Sequence, residues 1–188
     1  MEQIIQWDHN LFNLINGKWY NAVFDFVLPI MRNKYSSIPL YLFLLVYIII
    51  KRKGDKYWWL VYAGAVPILA DFVSSKLIKK NVWRARPCAD EAIATLYRNV
   101  INYCPEHSSS FTSSHAANHI AMAVFFYLTL HKFIGRWAIL FFVWAVSIMY
   151  AQVYVGVHFP LDVICGGIVG AFIGWFVASL FARNNSLT

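Results

Sequence analysis

Charge is scarce in this sequence. Only 13% of its 188 residues are Asp, Glu, Lys or Arg, where a soluble domain carries about a quarter. That shortage, with a 60% hydrophobic share, excludes an ordinary water-soluble domain and fits a chain that meets lipid. Acidic residues are the scarcest, nine against sixteen basic ones. The net charge of +7 does not imply a nucleic-acid partner. The basic residues gather at the ends of apolar runs, where they meet lipid headgroups or an anionic substrate. The N-terminus MEQIIQWDHNLFNLINGK lacks the basic leader region and small-residue cleavage site of a signal peptide. Sequence repeats and low-complexity segments are also missing.

What the chain does have is apolar runs, at 19–31, 36–50, 57–78, 115–131, 136–153 and 160–182. A bilayer core about 30 Å thick needs about 20 helical residues, so the first two runs are short. The expectation is an all-α polytopic membrane protein of six transmembrane helices, forming a single domain over 1–188. Residues 1–17 place Ile4, Ile5, Trp7, Leu11, Phe12, Leu14 and Ile15 at a spacing that suits an amphipathic helix lying on the membrane. Six crossings put that helix, KRKGDK (51–56), KFIGR (132–136) and the tail ARNNSLT on one side. RNKYSS (32–37), the long polar connector 79–114 and the turn near 154–159 fall on the other. Each side holds eight basic residues, so the positive-inside rule decides only if some of the second set bind substrate. The 79–114 side is then external. Trp19, Trp58 and Trp59 read as interfacial anchors.

Cysteine is rare. Cys88 and Cys104 share the connector, and Cys165 lies within the last run, where it packs. Two cysteines in one extramembrane loop pair in an oxidising compartment, a staple worth about 3 kcal/mol at this separation. Otherwise they are two unrelated thiols.

Three clusters carry chemistry. In KKNVWRARP (79–87), Lys79 and Arg86 are seven apart, about two helical turns, and can clamp a phosphate. In FTSSHAANH (111–119), Ser113 or Ser114 caps a helix whose N-terminus can take an anion, with His115 beside it and His119 one turn on. In AQVYVGVHFPLD (151–162), Pro160 suits the first turn of the last helix. Asp162 is placed to take a proton-bearing nitrogen of His158, which leaves the other nitrogen nucleophilic. Taken singly, each has a plain reading as headgroup contact, helix cap or packed side chain. Asp71, with Ser74 and Ser75, reads as a tie between helices, and Gly166, Gly170 and Gly174 as a close-packing face.

These motifs resemble the type-2 phosphatidic acid phosphatases, membrane phosphatases with a histidine nucleophile. The resemblance covers most of the chain. Lys79 and Arg86-Pro87 match the family's Lys, six residues, Arg-Pro. Thr112-Ser113-Ser114-His115 keeps the Ser and His of Pro-Ser-Gly-His. His158 and Asp162 match the third motif, but Ala151-Gln152 replaces its Ser-Arg. The resemblance implies that His158 attacks phosphorus, Asp162 orients it, and His115 protonates the leaving oxygen and then activates water. It implies that Lys79, Arg86 and the backbone at Ser113 and Ser114 hold the phosphate, with no metal or other cofactor. Gln152, natural or introduced, removes a cation and predicts weakened activity. The resemblance implies a lipid phosphate or diphosphate as substrate: undecaprenyl diphosphate, phosphatidylglycerol phosphate, phosphatidic acid or a lipid A phosphate. The expected partners are that lipid and the phospholipid bilayer, and the expected location a bacterial inner membrane with the site facing outward. The loop 88–111 is expected to line the entrance. Two rivals are a metal hydrolase, since His115/His119 and His158/Asp162 stand at i, i+4, and a lipid-binding or transport protein that has lost catalysis.

Overall fold

The computed structural model describes residues 2–33, 35–51 and 54–185. Lys34, Arg52 and Lys53 of the basic turns, and the last three residues of the ARNNSLT tail, lie outside the described residues. Every expected apolar run folds as helix, and no strand occurs among the described residues. The helices are α1 (Glu2–Phe12), α2 (Ala22–Met31), α3 (Ile38–Lys51), α4 (Lys56–Asn81), α5 (Ser114–Ile134), α6 (Leu140–Tyr154) and α7 (Pro160–Asn185).

Glycine sets the closest contact. A Cβ on Gly166 would stand 2.5 Å from the Ser113 carbonyl oxygen, one on Gly170 2.2 Å from that of Ala117, and one on Gly174 2.3 Å from that of Ala121. The three positions recur every turn on α7, so α7 lies backbone to backbone on α5. Their first turns are joined directly, because Ser113 N–H donates to the Asp162 carbonyl at 3.0 Å. The chain reverses at Gly135, whose φ of 59° favours glycine. Phe126 then meets Phe141 at 5.3 Å and Tyr127 meets Phe142 at 5.4 Å between ring centroids, so α6 returns along α5.

Among the described residues, three helical stretches are long and apolar enough to cross a membrane: Lys56–Asn81, Ser114–Tyr154 and Pro160–Asn184. The second is 41 residues long and contains the α5–α6 reversal. The first two expected crossings come out short, as ten and fourteen residues. Moreover, α2 meets α6 at both of its ends. At its start the Asn21 N–H is 3.4 Å from Tyr154 Oη, and at its end Arg32 Nε is 3.4 Å from Gln152 Oε1. Both ends therefore lie beside the last turn of α6.

The N-terminal helix also departs from expectation. Asp8 of α1 bonds Arg84 and the N–H of Leu161, which puts α1 at the 79–114 end of the bundle and not at the KRKGDK end. Its exposed face carries Ile4, Ile5 and Trp7, while Asp8 and Phe12 are buried. Trp58 and Trp19 are exposed as anchors should be. Trp59 is instead buried in the core, its Nε1–H donated to Thr129 Oγ1 at 2.9 Å.

Candidate active site

The turn after α6 is shaped by Gly156. Its φ is 84°, and a Cβ there would sit 2.4 Å from the Tyr97 ring. The turn delivers His158 to the mouth of α7, where it is 3% exposed. Its Nδ1 is 3.7 Å from Asp162 Oδ2, too far for a direct hydrogen bond. Ser110 stands between them, with Oγ 3.4 Å from Nδ1 and a short bond donated to Asp162 Oδ2. Asp162 also accepts the Phe159 N–H at 2.9 Å and Arg84 Nη1 at 2.8 Å. The orienting contact read from the sequence is thus a relay through a serine that the motif did not contain. Burial pushes the His158 imidazole down to about 4, and Asp162 only partly offsets this. At neutral pH the ring is uncharged. With Nδ1–H directed to Ser110, Nε2 carries a lone pair.

That nitrogen lies 3.4 Å from Arg86 Nη1. Arg86 is 6% exposed and held rigidly. Nη1 donates to the Val157 carbonyl at 2.8 Å, Nε to the Ser108 carbonyl at 3.0 Å and Nη2 to Ser108 Oγ at 2.9 Å. Lys79 and Arg86 do not share a helix face, since α4 ends at Asn81 and the backbone is extended at Val82 and Arg86. They converge by that extended path, and the Lys79 ammonium lies within electrostatic range of Arg86 and Asp162. Alternation along an extended strand puts residues two apart on one side. Arg84 therefore accompanies Arg86 inward and takes Asp8 and Asp162. Burial raises the Asp8 carboxyl above the ordinary carboxylate range, and the Arg84 bond pulls it partly back.

Ser113 caps α5, its Oγ accepting the Ala116 N–H at 3.4 Å. Its own N–H is already given to Asp162, which corrects the expectation that the Ser113 amide faces phosphate. Ser114 Oγ bonds Ser75 Oγ at 2.8 Å, and Ser75 bonds Asp71 at 2.9 Å, so Asp71 does tie α4 to α5. His115 lines a cavity of about 290 Å³ with Ser37, Tyr41, Asp71, Asn118 and His119. It lies within electrostatic range of His158, Lys79, Arg86 and Arg32. His119 Nδ1 is bonded to Tyr41 Oη at 2.9 Å, so the two histidines serve different neighbours. Gln152 is fully buried in the last turn of α6. Its Oε1 accepts Arg32 Nε, while Nε2 has no partner among the described residues.

Cys88 and Cys104 are bonded, with Cα atoms 5.9 Å apart. The loop they staple is pinned by Arg98, whose N–H donates to Asn16 Oδ1 at 2.8 Å and whose guanidinium meets Asp25 at 2.7 Å. Sequence reasoning missed Asp8, Arg32, Arg84 and Ser110. Two signals were available: the Arg-x-Arg alternation at 84–86, and an acid at position 8 between the apolar residues of α1.

Comparison with known proteins gives the family of the chain. The sequence pattern of the PAP2 superfamily matches residues 56–186. A lipid A 4'-phosphatase of Bacteroides thetaiotaomicron is 30% identical over 96% of this chain and 81% of its own length. One from Porphyromonas gingivalis is 28% identical over 100% and 79%. Among solved structures, a transmembrane PAP2-type phosphatidylglycerolphosphate phosphatase from Bacillus subtilis superposes with a TM-score of 0.69. It is 21% identical over 97% of this chain and 88% of its own. LpxE of Aquifex aeolicus gives 0.64, at 22% identity over 90% and 93%.

Proposed function

Because the chain belongs to the PAP2 superfamily, we propose that it removes phosphate from a membrane lipid through a phosphohistidine at His158. One observation carries this reading most: a buried, uncharged His158 whose Nε2 stands against Arg86 while Nδ1 is held by the Ser110–Asp162 relay. Phosphoryl transfer needs mainly positioning and charge stabilisation, and these residues supply both. Nε2 attacks phosphorus, the bond from phosphorus to the lipid oxygen breaks, and His115 gives that oxygen its proton. His115 then takes a proton from water as the water oxygen bonds to phosphorus, and the phosphorus–nitrogen bond breaks, which frees inorganic phosphate and restores the imidazole. Lys79, Arg86 and the Gln152 amide hold phosphate oxygens, together with the first-turn N–H of Ser114 at the head of α5. No metal enters this scheme.

Two relatives named for lipid A 4'-phosphate chemistry, each about four-fifths spanned by the chain, favour a lipid A phosphate among the substrates. Phosphatidylglycerol phosphate, phosphatidic acid and undecaprenyl diphosphate are the other candidates. Five crossings by α3 to α7 fit the geometry better than six, with α1, α2 and the stapled loop together on the outer face of a bacterial inner membrane. The test is phosphate release from lipid A and phosphatidylglycerol phosphate in detergent micelles containing EDTA. Release that His158→Ala abolishes supports the reading. Release that EDTA abolishes points to a metal hydrolase. No release, even after Gln152→Arg, points to a lipid-binding protein on this scaffold.

A further inference from the structure

Gln152 leaves the site one cation short of its family's pattern, yet the structure brings a cation to the same place from another wall. Arg32 closes α2, with its backbone N–H bonded to the Leu28 carbonyl at 3.1 Å. Its Nε donates to Gln152 Oε1 at 3.4 Å. We propose that Arg32 is the third phosphate-holding cation of this site, and that Gln152 is its tether and a neutral fourth donor. The inference rests on the phosphatase reading above and assigns a residue to it from outside the three motifs.

Several observations converge. Arg32 acts electrostatically on His115 and on Arg86, so its charge reaches both walls of the site. A guanidinium has five donors in a fixed fork. With Nε spent on Gln152, Nη1 and Nη2 make no hydrogen bond to a described residue. The buried Gln152 Nε2 is likewise without a partner, and a buried donor without one is costly. A phosphate oxygen would satisfy both groups. Charge explains the pairing too. An arginine at 152 would set a second guanidinium against Arg32, and like charges at contact repel. Glutamine removes the repulsion and adds an acceptor that aims Arg32. The cation has changed its helix, from α6 to the end of α2, and the site keeps its charge.

The experiment compares the full chain in detergent with Arg32→Ala, with Arg32→Ala/Gln152→Arg and with a His158→Ala blank. Two quantities are read. One is kcat/KM for phosphate release from lipid A or phosphatidylglycerol phosphate. The other is the rise in Tm caused by inorganic phosphate. Losing one such contact to the transition state costs on the order of a hundredfold in rate. Arg32→Ala should lose about that, with little change in ligand-free Tm. The double variant, which returns a guanidinium to the family's position, should regain at least about tenfold of it. An Arg32→Ala rate within about threefold of the parent overturns the proposal, as does a loss that the double variant fails to recover. If the parent releases no phosphate, the phosphatase reading fails and the Tm arm decides Arg32 separately. A phosphate-dependent rise present in the parent and absent in Arg32→Ala supports it. An equal rise in both overturns it.

Discussion

Arg84 Nη1 stands 2.8 Å from Asp162 Oδ1, on the side of the carboxylate away from the one that serves His158. The other arm of the guanidinium bonds Asp8 of α1, and its central carbon lies over the Phe159 ring, 4.2 Å from the centroid. One arginine therefore fixes the orienting acid, the first turn of α7 and the N-terminal helix. Breaking a buried pair from one side costs about 3–5 kcal/mol because a charge is left uncompensated. Arg84 is partly exposed, so the lower end of that range applies. Arg84→Met should lower Tm and reduce kcat more than it changes KM. Arg84→Lys should rescue poorly, since a point charge cannot serve two carboxylates as a planar fork does. Phosphate-release kinetics beside thermal unfolding in detergent checks both.

Close packing of α7 on α5 sets the distance between His115 and His158. Gly170→Ala puts a methyl group 2.2 Å from the Ala117 carbonyl oxygen, so the helices must separate. Overpacking of this kind costs about 1–3 kcal/mol. Activity should fall further than stability, because a misplacement of about 1 Å can cost about a hundredfold in rate. Gly64→Ala, where nothing lies within 4 Å, is the control and should leave both unchanged.

Low pH should act through His158. Its folded value is about 4, against about 6.5 in an unfolded chain. Between these values the unfolded state binds the extra proton, so stability falls as pH falls from about 6.5 towards 4. Each proton contributes a slope of about 1.4 kcal/mol per pH unit. His158→Gln should flatten the fall in Tm over this window. An unchanged pH profile contradicts the assignment of a buried, neutral imidazole.

The Cys88–Cys104 staple closes a sixteen-residue separation, worth about 3 kcal/mol in the chain-entropy model. It constrains the loop beside the site and not the reacting groups. Cys88→Ser/Cys104→Ser should therefore lower Tm and raise KM, with kcat nearly kept. Steady-state kinetics on one lipid substrate separates these effects.

The side of the membrane that α1 occupies can be read directly. With α1 and the stapled loop at one end, Gln3→Cys should react with a membrane-impermeant thiol reagent from the same side as Asn99→Cys. Opposite-side labelling restores the six-crossing arrangement.

The three proposed clusters could be picked out in the sequence because the residues of each are local. Lys79 with Arg86, Ser113 to His115 and His158 with Asp162 each fall within one short stretch, and apolar runs located α3 to α7. What stayed hidden depends on contacts between distant segments. Asp8 and Arg84 are 76 positions apart, Arg32 and Gln152 are 120 apart, and Ser110 and Asp162 are 52 apart. No periodicity links such pairs. We propose five crossings and not six for a related reason. The 19–31 run is apolar enough for lipid, but its Asn21 and Asp25 are held by Tyr154, and tertiary bonds override hydropathy. Trp59 read as an anchor because tryptophan favours interfaces, whereas its partner Thr129 lies on another helix.

The central claim is a covalent phosphate on His158. The most direct test is to treat His115→Ala with an aryl phosphate, whose leaving group needs little help from an acid, quench rapidly, and map the modified peptide by mass spectrometry. Without His115 to activate water, phosphate should accumulate on His158 and be absent in His115→Ala/His158→Gln. Phosphate release from the aryl ester with no phosphorylated His158 at any quench time would contradict the account.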